Sequence, residues 1–371
     1  MKSKGAVLFE SPGRWEVCEL DVDPPREGEV LIRMVASGLC HSDVHYNLGD
    51  HAYVLPFCGG HEGAGVVEEV GVGVSRVRPG DHVVISFIPS CGYCRYCASG
   101  RQNLCQEGAK LQLGPQRDGS YRMHHHGRDI NQFLMISTFS SWSTVSELSV
   151  VKVPDELPLE TLSLLGCGVG TGFGSAIHAA SVRPGDVVIV MGVGGVGMNA
   201  VQGASVAGAA TVIAVDPVPF KLEVAAKVGA THTFSNIDEA AGLARSLTDG
   251  QGADSAIITI DLVKGEHVAQ AFDAVGKGGT VVVTGMPSIK EPPGIPVSLL
   301  AMAAYQKRIQ GCLFGMGSPA LEIFRQLDLY RSGRLKLDEL ITTRYRLPEI
   351  NQAVDDLMAG HNVRGVIVHE H

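Results

Sequence analysis

The chain has 371 residues, of which 45% are hydrophobic and 19% charged, and it carries a formal net charge of −9. That length exceeds one ordinary core, so two domains are expected, and the balance excludes a disordered or fibrous chain. The acidic surplus argues against a nucleic-acid or anionic-membrane binder, which needs a basic face. Glycine is abundant at 46 residues without a G-x-y period, which points to tight turns and close backbone approaches.

The opening stretch, MKSKGAVLFESPGRW, has a charge too early and an apolar run too short for a signal peptide. A soluble, cytoplasmic chain is expected, and its nine cysteines are expected as thiols rather than disulfides. The segment G-L-C-H-S-D-V-H holds Cys40, His41, Ser42, Asp43 and His45, and G-G-H-E-G-A-G holds His61 and Glu62. Each is weak alone, because a lone Cys is usually a small buried hydrophobe and a lone His a satisfied core or surface residue.

Next, CGYCRYCASGRQNLC spaces Cys91, Cys94, Cys97 and Cys105 as C-x2-C-x2-C-x7-C. Four thiolates this close wrap one tetrahedral ion in a closed shell, the arrangement of a structural zinc. The last spacing does not match the ferredoxin runs, which favours zinc, although spacing alone leaves iron open. His124, His125 and His126 form either an adventitious metal patch or a solvated loop. Further on, L-L-G-C-G-V-G-T-G holds Cys167. Cys18, Cys58 and Cys312 have no assignment and are expected as small buried hydrophobes.

No residue from Val187 to Val215 is charged, 29 positions in all and long enough to cross a bilayer, but the stretch contains glycines and ends on Asp216. A buried strand, Val187 to Met191, runs into G-x-G-x-x-G at Gly192, Gly194 and Gly197, with Gly195 and Val196 between. A helix of small residues (199–206) and a second strand, Thr211 to Val215, follow. Strand, glycine loop and helix, closed by an acid 24 residues after Gly192, form a dinucleotide-binding unit. Asp216 accepts from ribose hydroxyls and repels a 2′-phosphate, so NAD is expected over NADP. Lys221 is either a second ribose contact or a solvated lysine at a helix start. Apolar stretches at 229–231, 256–260 and 280–284 extend a doubly wound parallel sheet. Near the end, Ile350, Val354, Leu357 and Met358 mark one helix face, Gly360 its cap, and residues 363–369 a last strand.

With these motifs in hand, the chain resembles the zinc-containing medium-chain alcohol dehydrogenases almost end to end. The resemblance implies an α/β chain, with a GroES-like β-rich catalytic domain (1–168 and 309–371, with the structural zinc loop) and a Rossmann domain (169–308). It implies two zinc ions per chain, the catalytic one on Cys40, His61 and Cys167 with a fourth position open to substrate. Asp43 would orient the ligand histidine, and Glu62 matches an acid that approaches the metal during ligand exchange. Ser42 would take the alcohol proton and pass it through the cofactor ribose to His45, while hydride goes to the nicotinamide. Thr171 and Phe87 match positions flanking nicotinamide and substrate, although Phe87 also fits a plain core aromatic. His41 and Arg364 match residues on the cofactor phosphates. Met286 and Leu113 match the substrate pocket, which suits primary aliphatic or aromatic alcohols or their aldehydes. A homodimer is implied.

The strings C-H-S-D-V-H-Y-N-L-G-D, F-I-P-S-C-G and G-C-G-V-G-T-G are similar to the actinobacterial nicotinoprotein branch, assayed with N,N-dimethyl-4-nitrosoaniline (NDMA), which recycles NAD in place. A glutathione-dependent formaldehyde dehydrogenase is disfavoured. Ala109 stands where that branch has the arginine for its thiol adduct, and His45 where it has a tyrosine. A related NAD(P)H-dependent reductase of activated double bonds is disfavoured because the ligand and relay residues are all present.

Overall fold

The computed structural model describes residues 1–371 as two compact units. One comprises Met1–Cys167, Ser318–Asp328 and Leu337–His371; the other comprises Gly168–Gly317 and Leu329–Lys336. The edge expected at residue 308 differs, because Arg308–Gly311 is a strand paired in parallel with Val275–Val283 and belongs with the second unit.

In the first unit a closed barrel joins Lys2–Leu8, Glu16–Val22, Met123–His125, Arg128–Gln132 and Phe57–Cys58. Beside it lies a seven-stranded sheet built on Glu29–Leu39, whose apolar run VLIRMV has both faces largely buried. That strand pairs with Glu62–Val70, Trp142–Ser146 and Arg364–Val368, stretches far apart in the chain. The register sets Gly38 opposite Glu62 and Leu39 opposite Gly365. Cys40, His61 and Arg364 are therefore carried to one corner by strand ends. Trp15 packs edge-on against Phe57 and Phe139 at centroid distances of 5.6 and 5.9 Å, which adds aromatic geometry to plain area burial.

The segment holding His124–His126 is not a loop throughout. Met123–His125 is a strand that returns through His126 and Gly127, at φ 49° and 76°, to Arg128–Gln132. His124 lies between two carboxylates, 2.9 Å from Asp129 and 3.4 Å from Asp23. Of the three spare cysteines only Cys58 is fully buried; Cys18 and Cys312 are partly exposed.

The helix near the C-terminus, Ile350–Met358, buries Ile350, Ala353, Val354 and Leu357. Met358 was expected on this face but is 46% exposed, and Ala353 takes the inward position. Gly360 at φ 71° ends the helix: its N–H reaches Leu357 O at 3.1 Å, and His361 N–H reaches Asp356 O at 2.9 Å.

The second unit is a doubly wound parallel sheet in the order His232–Phe234, Thr211–Val215, Val187–Met191, Ala253–Ile258, Val275–Val283, Arg308–Gly311. Val187–Met191 is buried throughout, as its unbroken apolar run requires of a central parallel strand. No helix is long and apolar enough to cross a membrane.

At the far end of the chain, burial holds the His369 imidazole down at about 4. Its Nε2 lies 3.1 Å from Thr138 O and 3.0 Å from Ser37 Oγ, while Nδ1 is buried without a partner. The neutral ring fits, and a second N–H would have no acceptor. Between pH 6.5 and about 4 the unfolded chain therefore takes up a proton that the folded chain refuses, so stability falls as pH drops through that window. The full cost is about 3 kcal/mol. Urea unfolding at pH 7 and at pH 4.5 should show this loss, and His369→Gln should reduce it. An identical pH slope in the variant would count against the buried neutral ring.

Candidate metal centres and nucleotide loop

The Sγ atoms of Cys91, Cys94, Cys97 and Cys105 all lie within 4.8 Å of one another, and all four residues are buried. Cys91 and Cys97 are 3.9 Å apart at sulfur. A tetrahedron with Zn–S bonds of about 2.3 Å has edges of about 3.8 Å, so the spacing fits a metal and is far too long for a disulfide. The chain wraps the site with its own amides: Cys91 N–H points at Cys105 Sγ at 3.4 Å, Cys94 N–H at Cys91 Sγ at 3.4 Å, and Cys97 N–H at Cys94 Sγ at 3.5 Å. Gly92 at φ 86° makes the turn between the first two ligands. Backbone N–H groups of Cys97 and Gln106 pull the Cys94 thiol below its usual range, toward the thiolate a metal needs.

A second group gathers Cys40, His61, Glu62 and Cys167, all buried, with ligand atoms within 4.8 Å of one another. Cys40 caps the helix His41–Leu48, whose first turn carries Ser42 and Asp43. Asp43 is 1% exposed; its Oδ1 accepts from His61 Nδ1 at 2.9 Å and its Oδ2 from Cys40 N–H at 3.2 Å. That fixes the tautomer and turns His61 Nε2 toward the sulfurs, where it is buried without a hydrogen-bond partner. A buried ring nitrogen aimed between two thiols is what a metal ligand requires. The Cys40 thiol is held well below its usual range, first by the Cys167 thiol beside it and then by the nearby His61 ring.

Glu62 forms a fully buried ion pair with Arg364. Burial pushes its carboxyl up while the guanidinium opposes. Arg364, expected at the cofactor phosphates, is 3% exposed and has Nη2 on this carboxylate. A Cβ on Gly38 would stand 2.3 Å from Glu62 Oε2 and 2.8 Å from Arg364 Nη2, so this strand leaves the room that the pair occupies.

Around His61 the structure places Phe87, which the resemblance pointed to, together with aromatics that the sequence did not single out. Phe87 and Phe133 meet its ring edge-on at 5.7 and 5.8 Å, and Tyr46 and Tyr53 pack on Phe133 at 4.8 and 5.2 Å. Alternating hydrophobicity marks such residues only as core. Ser42 Oγ lies 3.7 Å from Cys40 Sγ. His45, one turn on, is buried with Nδ1 3.3 Å from Asp50 Oδ2. His41 is partly exposed at the helix start, and its ring is 6.5 Å from that of His45. Leu113 is 59% exposed.

In the second unit, the glycine loop can be tested position by position. Gly192 turns at φ 85°, and a Cβ on Gly197 would stand 1.9 Å from Gly192 O, so the helix Gly195–Ala207 can start here only without that side chain. A Cβ on Gly194 would meet nothing within 4 Å. The open space lies over the helix start, where backbone N–H groups attract a phosphate. Asp216 is 5% exposed; its Oδ2 accepts from Val193 N–H at 2.9 Å and its Oδ1 from Val218 N–H at 2.9 Å, which ties the acid to the loop. Lys221 is half-buried in the first turn of Pro219–Val228. Thr171 is buried in the helix Gly168–Gly174, and Met286 is 51% exposed.

Comparison with known proteins agrees with this chemistry. The alcohol dehydrogenase GroES-like domain model matches residues 26–155, and the zinc-binding dehydrogenase model matches residues 195–329. The chain is 53% identical to an NDMA-dependent alcohol dehydrogenase of Amycolatopsis methanolica, over 100% of this chain and 99% of that protein. It is 44% identical to alcohol dehydrogenase B of Mycobacterium tuberculosis, over 99% of this chain and 98% of the other. A solved benzyl alcohol dehydrogenase from Acinetobacter calcoaceticus matches with TM-score 0.92 at 31% identity, with both chains fully covered. Similarity of that extent, on a fold that assembles two cysteine-rich groups able to hold a metal, places the chain in the zinc-containing medium-chain alcohol dehydrogenase family, the NAD-dependent oxidoreductases that act on alcohols.

Proposed function

We propose that the chain oxidises a primary aliphatic or aromatic alcohol to its aldehyde at the Cys40–His61–Cys167 pocket. The observation that carries this reading is His61 Nε2, buried between two thiols, of which Cys40 has surroundings that favour the thiolate. When bound, zinc supplies Lewis acidity toward an alcohol oxygen and NAD accepts the hydride.

The chain's own residues do the rest. Cys40 and Cys167 give two thiolates, and His61 gives a neutral nitrogen held in place by Asp43. Arg364 balances Glu62 beside them. The Ser42 hydroxyl, next to Cys40, takes up the alcohol proton, and His45 on the same helix is the later acceptor. The Phe87 and Phe133 rings against His61 favour an apolar substituent on the alcohol. Cys91, Cys94, Cys97 and Cys105 hold the second zinc and pin their loop. Gly192, Gly194, Gly195, Val196 and Gly197 receive the NAD pyrophosphate, with Asp216 at the ribose; Thr171, Lys221 and His41 complete the nucleotide contacts. At position 109 Ala offers no charge for a thiol adduct's carboxylate. Similarity to the Amycolatopsis enzyme supports the further proposal that NAD stays bound between turnovers.

We also propose a cytoplasmic homodimer. All nine cysteines are free, and six sit in two clusters that need thiols, a state a reducing compartment preserves. Arg308–Gly311 ends its sheet, and nearby Leu299 and Leu300 are 77% and 78% exposed, a combination a symmetric second copy would cover.

Three outcomes test these proposals. Denatured protein should release two zinc ions and close to one NAD(H) per chain, and Cys40→Ser should keep one zinc and lose turnover. An empty nucleotide fraction would refute retention, and an active Cys40→Ser would refute the metal site. Sedimentation should give twice the 39.2 kDa chain mass, with Leu300→Asp shifting it toward one; a wild-type monomer or tetramer rejects the dimer. Gly194→Ala should fold normally and weaken NAD binding at least tenfold. Gly197→Ala should instead lose about 1–3 kcal/mol of stability, the usual cost of overpacking. Equal calorimetric behaviour of the two variants would contradict the loop assignment.

A further inference from the structure

His45 takes the proton in the reading above, yet it is only 3% exposed, so a proton that reaches it has no direct way to water. We infer that Asp50 is the outlet of His45: it orients the imidazole and hands its proton to solvent. The inference rests on the proposed role of His45.

The local fold builds the pair. The helix His41–Leu48 ends at Gly49, whose φ of 76° lies in the left-handed region, and the chain turns back on itself. The N–H groups of Gly49, Asp50 and His51 all point to His45 O, the latter two at 2.9 and 3.3 Å. This closure sets Asp50 Oδ2 3.3 Å from His45 Nδ1. The Asp50 side chain is 20% exposed against 4% for His45, so the carboxylate reaches water where the ring does not. Two further titratable rings stand near it, His51 at 5.4 Å and His41 at 6.5 Å. Both repel an imidazolium when charged, whereas Asp50 attracts one. The helix C-terminus, in whose last turn His45 stands, adds to that attraction.

With Nδ1–H donated to Asp50, Nε2 is left as the acceptor. Alcohol oxidation releases one proton, which arrives at Nε2 and makes the ring cationic. The Nδ1–H bond then breaks, an O–H bond forms on Asp50, and the carboxylic acid loses its proton to water. Aldehyde reduction runs the same chain backwards and restores the starting tautomer.

The test uses holoenzyme carrying Asp50→Asn, with Asp50→Ser as a second variant and Asp50→Glu as the conservative rescue. Proton release in a single turnover, followed with a pH indicator, should slow at least tenfold in Asn and Ser and recover in Glu, with KM for the alcohol changed less than twofold. Added imidazole buffer should restore the rate in Asn and Ser and leave wild type unaffected. Nitrogen NMR of the histidine rings should show His45 as the Nδ1–H tautomer in wild type. Its protonation midpoint should fall by about one unit in the Asn variant, as removal of a facing carboxylate requires. A wild-type rate and midpoint in Asp50→Asn, or a loss that neither imidazole nor Glu restores, overturns the inference. His45→Gln separates the two levels. If it turns over at full rate the relay itself is refuted, whereas an impaired His45→Gln beside an unimpaired Asp50→Asn refutes Asp50 alone.

Discussion

One hydrogen bond, from His61 Nδ1 to Asp43, decides whether this corner presents a set of groups fit for a metal or only two buried thiols and a histidine. Without it the imidazole could present either nitrogen, and the lone pair facing Cys40 and Cys167 would not be defined. The bond exists because two unrelated segments end together. Glu29–Leu39 delivers Cys40 and, one helical turn later, Asp43; the residue before Glu62–Val70 is His61. Burial raises the Asp43 carboxyl pKa, and the contacts with His61 and the Cys40 amide work against that rise. A carboxylate that is fully enclosed yet bonded on both oxygens costs far less than an unpaired one.

The same corner poses a problem of charge. Cys40, Cys167, Glu62 and Asp43 bear four negative charges when all are ionised, against the one positive charge of Arg364 if His61 is neutral. Each uncompensated ion buried in protein costs several kcal/mol. Two routes relieve it. Protons can occupy some of these sites, and burial drives the Glu62 pKa upward accordingly. A divalent cation instead removes two units of the surplus and releases protons as it binds, so metal affinity at this corner must weaken toward acid pH. Arg364 has a definite part in either state: it holds Glu62 ready without letting that carboxylate add a further unopposed charge.

How much of this was legible in the sequence follows from how local each feature is. The four-cysteine cluster spans residues 91–105, so spacing alone reveals it. The nucleotide unit was equally plain, because a buried parallel strand, a glycine turn and a helix are consecutive, and Val187–Met191 and Thr211–Val215 were placed to the residue. Cys40, His61 and Cys167 are joined only by pairing between distant strands, and no periodicity shows that; family resemblance supplied them. The pairing of Arg364 with Glu62 was hidden for the same reason. The arginine's position in a terminal strand is visible, but its partner, 302 residues earlier, depends on the register of Leu39 opposite Gly365. Met358 was misplaced by a helix-face pattern that could not tell it from Ala353, since both positions border the apolar stripe.

Glycine, conspicuous from the start, sorts into two physical roles, and the distinction explains its place at the site. Fewer than half of the 46 glycines have positive φ, so conformational freedom does not account for the rest. Several of the others are demanded by space. A Cβ on Gly63 would meet Met34 Cε at 2.5 Å and Thr138 Cγ2 at 2.7 Å, and one on Gly166 would meet Ile85 O at 2.6 Å and Glu62 Cα at 3.2 Å. With Gly38, these glycines surround Glu62 and stand next to His61 and Cys167. Three strands and a turn converge there closely enough to bring ligands from residues 40, 61 and 167 within 4.8 Å, and backbones approach that closely only where side chains are missing. Glycine beside Cys40, His61 and Cys167, like the Asp43 hydrogen bond, is therefore a condition for the proposed site: one admits the three side chains to a single point, and the other turns the histidine toward the two sulfurs.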